Sequence, residues 1–163
     1  MTREEFKKLF DKHFDAVRSY IYYRCGDTEL ATDIAQDTFM RVWEKQFSPK
    51  DGQIVGLLYK IASDFFVSRY RKQTTAANYV NSINLQPKAD TIEQELAYKE
   101  LKASYEKALA KLPEKQRTVF LMSRMDELKY HEIAERLGIS VKAVEKRMKN
   151  ALDFLRKELK TEP

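Results

Sequence analysis

Apolar side chains recur at three- and four-residue spacing through most of this chain, and the stretches that carry the period are long. Three fall in the first half, roughly 3–24, 28–46 and 54–72, and each reads as a helix with one apolar face. The first opens with Phe6, Leu9, Phe10 and Phe14 set among charged residues. Gly26-Asp27 separates the first two, with Asp27 or Thr28 as N-cap, and Ser48-Pro49-Lys50-Asp51-Gly52 separates the second from the third. From Gln73 to Asp90 the period lapses into Thr74, Thr75, Asn78, Asn81, Ser82, Asn84 and Pro87, the composition of a linker. A capping box at Thr91 to Gln94 then starts a helix that runs to about Lys111, and Pro113 suits the first turn of another. Two more helices complete the chain. The expectation is an all-α protein of two small helical domains joined by a flexible linker, with bounds 1–72, 73–90 and 91–163.

The most specific local pattern runs from Tyr130 to Met148. Ile133, Ala134 and Leu137 give an apolar face, Gly138 a turn, and Ser140 a cap for the next helix. Ala134 is small where two helices cross. With Val144 and Met148 turned inward, Lys142, Ala143, Lys146, Arg147, Lys149 and Asn150 are left outside, which is the order of parts of a helix-turn-helix whose second helix enters a DNA groove. Arginine pairs with guanine and asparagine with adenine, while lysines meet phosphates.

In the second helix Leu30, Ile34, Phe39, Val42 and Trp43 supply core, leaving Asp33, Gln36, Asp37, Met40, Arg41 and Glu44 as an outer face fit either for a protein partner or simply for water. In the third, Leu58, Ile61, Ala62 and Phe65 form one stripe, assigned to the core, and Tyr59, Phe66 and Tyr70 a neighbouring one beside Lys60, Arg69, Arg71 and Lys72. Exposed aromatics beside cations stack on unpaired bases, and buried ones simply pack. His13 and His131 read as surface residues, and Cys25 as a small buried or half-buried thiol.

Composition narrows the choice. With 4 glycines, 4 prolines and 34% charged residues the chain has few breakers, and its net charge of +5 suits a polyanion. A single cysteine excludes an internal disulfide and fits a reducing cytoplasm. There is no apolar signal segment and no stretch fit to span a membrane. Without a glycine-rich phosphate loop, a nucleophile motif or metal-ligand spacing, no catalytic residue, metal or cofactor is expected.

Taken together the motifs resemble those of the extracytoplasmic-function sigma factors. Asp33-Ile-Ala-Gln-Asp-Thr-Phe-Met-Arg-Val-Trp is similar to the polymerase-binding helix of region 2, and Leu58-Tyr-Lys-Ile-Ala-Ser-Asp to the promoter-melting segment after it. Leu112-Pro-Glu-Lys-Gln-Arg-Thr-Val-Phe-Leu, with Tyr130 to Leu155, resembles region 4. The resemblance implies core RNA polymerase as partner, through its largest-subunit coiled coil and second-largest-subunit flap, together with promoter DNA and an anti-sigma factor or other recruiting protein. It implies that Asp33, Gln36, Asp37 and Met40 bind polymerase, and that Lys142, Ala143, Lys146, Arg147 and Asn150 read the −35 element. Tyr59, Lys60, Asp64, Arg69, Arg71 and Lys72 would serve the −10 element. Asp64 and Ser68 stand where the family commonly has Asn and Asp, and Phe47-Ser-Pro replaces a phenylalanine-arginine-glycine start, so −10 reading is where this chain departs most. A free-standing regulator with an N-terminal dimerisation or sensing module, or an adaptor on polymerase, also fits these residues.

Overall fold

The first helix begins because Thr2 and Glu5 cap each other: the Thr2 hydroxyl accepts from the Glu5 amide (3.1 Å) and the Glu5 carboxylate from the Thr2 amide (3.0 Å). It ends where Gly26 takes a left-handed φ of 71°. Asp27 immediately caps the second helix, accepting from the Leu30 amide at 3.1 Å. The computed structural model describes residues 1–47, 53–70 and 92–161. Among them are seven helices and no strand: α1 Arg3–Cys25, α2 Thr28–Lys45, α3 Gln53–Tyr70, α4 Ile92–Lys111, α5 Glu114–Arg124, α6 Tyr130–Leu137 and α7 Val141–Thr161. The all-α expectation holds. The expected linker, Thr91, Arg71, Lys72 and most of the loop after α2 lie outside the described residues.

α1, α2 and α3 pack on one another around Val17, Ile21, Ile34, Phe39, Val42 and Leu58, all essentially sealed from water. Phe6, Phe10 and Phe14 line up one turn apart on α1 and close on Phe39 of α2, with ring centroids 6.4, 5.2 and 5.8 Å away. Each buried side chain of this size contributes about 1.5–3 kcal/mol relative to exposure. In the second half, α4, α5 and α6 all pack against the long α7, around Leu109, Val119, Met122, Ile133, Val144 and Ala151.

The two halves also pack on each other, α1 against α5 and α3 against α6. Arg117 of α5 sits at the centre of that seam and is only 4% exposed. Its guanidinium donates to the carbonyls of Tyr23 (2.8 Å) and Arg24 (2.6 Å) at the end of α1, and to those of Leu112 (3.1 Å) and Leu109 (3.5 Å) at the end of α4. The last carbonyls of a helix have no intrahelical donor and carry the negative end of its dipole, so one cation serves two helix ends. Around it, Arg24 pairs with the Glu114 carboxylate and donates to Ser63 Oγ (2.8 Å), and the Tyr23 hydroxyl donates to Asp126 (2.5 Å). Arg136 of α6 donates to the Tyr59 hydroxyl of α3 at 3.1 Å.

On α1 and α2 two expectations need correction. His13 is buried rather than exposed, and burial lowers its pKa, reinforced by the fields of Lys12 and Arg136. Trp43, expected in the core, is 36% exposed because it caps the rim of the α1–α2 contact, 5.2 Å from Phe6.

Candidate nucleic-acid and protein interfaces

The helix-turn-helix is built from local parts. α6 ends at Gly138, φ 67°, whose amide bonds back to the Ala134 carbonyl. Ser140 then accepts from the Ala143 amide at 3.0 Å and starts α7. With Val144, Met148, Ala151 and Leu155 buried on the side of α7 that packs against α4, α5 and α6, the heptad-like stripe fixes the roll of α7. Lys142, Lys146, Lys149 and Asn150 are left exposed and Ala143 half-buried. Arg147 falls one side of that row. It is half-buried and lines a cleft of about 190 Å³ in the seam with Tyr20, Arg24, Ser63 and Glu114.

α3 is rolled differently from the expected stripe. Its buried face is Ile54, Leu58, Tyr59, Ala62 and Phe66, while Ile61 and Phe65 are only half-buried. Tyr59, which the resemblance assigned to the −10 element, is 1% exposed, lying 5.0 Å from the Tyr20 ring and under Arg136, so of the two roles left open for that stripe it takes the packed one. Phe66 is buried beneath Arg24, whose guanidinium carbon is 4.5 Å from its ring centre. The reason is tertiary: α1 and α6 cover that side of α3, which the periodicity of one helix does not reveal. Lys60, Asp64 and Arg69 are exposed. Lys60 and Asp64 make no ion pair with each other, although they stand one turn apart.

On α2, Asp33, Gln36 and Met40 point to solvent, Met40 at 57% exposure. Met40, Trp43 and Phe6, with Arg3 and Glu44 at the rim, line a shallow apolar groove of about 260 Å³ that continues this face. Asp37 is turned aside and pairs with Arg69 of α3. That ion pair joins two residues assigned by resemblance to different partners. Sequence reasoning also passed over the seam residues Arg24, Glu114, Arg117, Asp126 and Arg136. For Arg117 there was a signal, since it heads an otherwise uncharged run through Met122.

No group of three or more His, Cys, Asp or Glu among the described residues is placed to hold a metal ion. No described helix is long and apolar enough to cross a membrane.

Comparison with known proteins finds two family regions along the chain. Residues 9–75 match the family model of sigma-70 region 2, and residues 102–155 that of sigma-70, region 4. The chain is 29% identical to the ferric citrate uptake sigma factor FecI of Escherichia coli strain K12, over 91% of its own length and 87% of that protein's. It is also 29% identical to the ECF RNA polymerase sigma factor SigW of Bacillus subtilis strain 168, covering 97% and 90%. Among solved structures, the sigma factor RpoE of Bartonella quintana, in complex with the anti-sigma factor NepR, superposes with a TM-score of 0.65 at 23% identity, covering 98% of this chain and 99% of that one. That likeness is one of fold.

Proposed function

Because the chain belongs to the sigma-70 family, as an extracytoplasmic-function sigma factor serving promoter-specific transcription initiation, we propose that α2 grips core RNA polymerase while α7 and α3 read the promoter. The observation that carries this reading is the order of region 2 and region 4 on one chain, supported by the exposure of Asp33, Gln36 and Met40 on α2 and of Lys142, Lys146 and Asn150 on α7. Asp33, Gln36 and Met40 offer two polar groups and an apolar tip to the largest-subunit coiled coil, and Asp37 has its second carboxylate oxygen left for the same partner. Lys142, Lys146 and Asn150 enter the −35 major groove, where the lysines neutralise phosphates and asparagine reads a base edge. Lys60, Asp64 and Arg69 meet the −10 strand, with Arg71 and Lys72 continuing that segment in sequence.

Tyr59 and Arg147 face the seam between the halves, so their part in promoter reading requires the halves to separate on polymerase. The domain bounds 1–72 and 91–163 mark the bodies that move. The protein acts as an initiation factor in the cytoplasm and performs no chemistry of its own. An anti-sigma protein that holds the halves together is the fitting regulator, as the Bartonella relative is found bound to one.

The test is reconstitution. Purified chain is titrated into sigma-free core enzyme, and transcription from genomic fragments is scored with and without it. A stable complex and new, specific start sites are expected. A chain that binds operator DNA yet neither joins nor activates core polymerase would instead be a free-standing regulator.

A further inference from the structure

Phe65 of α3 is half-buried, and two guanidiniums share its ring: Arg41 of α2 at 5.0 Å and Arg69 of α3 at 4.8 Å from the ring centre. Both cations are thus held within a few ångströms of one aromatic ring, attracted by its quadrupole although they repel each other. One carboxylate lies in the cluster. Asp37 takes a single N–H group of Arg69, and Arg41 has no ion-pair partner among the described residues. The cluster keeps a net positive charge, with most of its ten guanidinium N–H donors unspent. A planar fork with fixed donors is the group best matched to a phosphate, and here two are fixed already.

The position says which phosphate. Lys60 and Asp64 are exposed on the adjoining stripe of the same helix, and Arg69 is one turn beyond Phe65. An unpaired strand running along that stripe passes the notch between α2 and α3. Resting on the promoter-reading role of α3 given above, we propose that Arg41 and Arg69, gathered on Phe65, form a backbone-phosphate clamp for the unpaired −10 strand, with Asp37 as the residue that positions Arg69. Arg41 then belongs to the DNA-facing machinery although it sits on the polymerase-binding helix.

The assay uses holoenzyme at saturating core and a labelled single strand carrying the non-template −10 sequence, read by fluorescence anisotropy over a salt series. Core affinity is titrated separately for every variant. Arg41→Ala and Arg69→Ala should each weaken strand binding about tenfold and flatten the salt slope by about 0.7, the value for one lost phosphate contact on a single strand. Arg41→Gln serves as a second variant that keeps the length of the side chain. Asp37→Asn discriminates positioning from bulk charge. Removing a negative charge tightens DNA binding if only net charge matters, whereas it weakens binding if Asp37 orients Arg69. The double variant Asp37→Asn, Arg69→Ala should then be no weaker than Arg69→Ala alone.

Wild-type affinity and slope for the two arginine variants, in a protein that still binds core and strand, would overturn the clamp. So would a loss confined to core affinity, which would turn the notch toward polymerase. Failure of the unaltered holoenzyme to hold the strand would instead sink the promoter-reading role of α3.

Discussion

Asp126 carries a carboxylate into a place that disfavours its charge. Its Oδ1 accepts from Tyr23, but its Oδ2 is buried without a partner, and burial raises its pKa against the lowering effects of Tyr23 and Arg136. Below the ordinary carboxylate range both folded and unfolded chains hold the proton, and the site costs nothing. As pH rises from the unfolded value through the raised folded value the folded state alone bears the cost of the charge, so stability falls across that window and the penalty is complete above it. Asp126→Asn should therefore raise the melting temperature at pH 7, with the gain vanishing toward pH 3, as calorimetry across that range would show. Cys25 gives a second prediction. Buried, with its thiol pushed up to about 11, it should react with a thiol reagent at pH 8 at least about a hundredfold slower in the folded than in the unfolded chain. A small buried thiol was legible in the sequence, because cysteine partitions inward on its own. The burial of His13 was not, because it depends on neighbours brought in from other helices.

Helices α6 and α7 show why some elements are readable in advance. Gly138, Ser140 and the apolar positions lie within a few residues of one another, so their roles follow from local chemistry. Ser140→Ala should cost about 1 kcal/mol through the lost cap. Gly138→Ala should cost about 1–2 kcal/mol from left-handed strain alone, because a methyl there meets nothing within 4 Å, and Gly138→Asn should cost less. Thermal unfolding of the three variants gives the order, and a Gly138→Ala protein as stable as the parent would count against the strain argument. The α3 stripe is the opposite case. Its apolar and aromatic residues are spread round much of the helix, and which of them is covered was decided by α1 and α6 from a distance. Trp43 failed for the same reason at a helix rim.

At the scale of the whole molecule, size decides what the closed arrangement permits. A compact chain of this length has a radius of gyration of about 15 Å. Elements named −10 and −35 lie about 25 base pairs apart, or about 85 Å along a duplex at 3.4 Å per base pair. One closed molecule does not reach both, and residues 71–91, fully extended, add at most about 75 Å. On the promoter reading proposed above, opening of the seam precedes full promoter contact, with Arg117 at the centre of the seam. Arg117→Ala removes the guanidinium that four helix-end carbonyls share, of which that of Leu109 keeps an amide donor, Leu112 N at 3.2 Å, and should cost at least about 1.5–3 kcal/mol, the loss typical of one hydrogen bond to a charged group. Small-angle scattering of the free protein should show an enlarged radius, and affinity of the free chain for −35 duplex should rise severalfold. Arg117→Lys should not restore the closed form, since a point charge does not span two helix ends. An unchanged radius in both variants would mean that apolar packing alone holds the seam. The acceptors of Arg117 are backbone carbonyls, which every residue possesses, so its four bonds do not depend on which side chains stand at positions 23, 24, 109 and 112, although those of Tyr23 and Arg24 make seam contacts of their own. In evolutionary terms bonds of this kind leave no pairwise covariation with their acceptors, and one codon suffices to gain or lose them among descendants that keep the same helices.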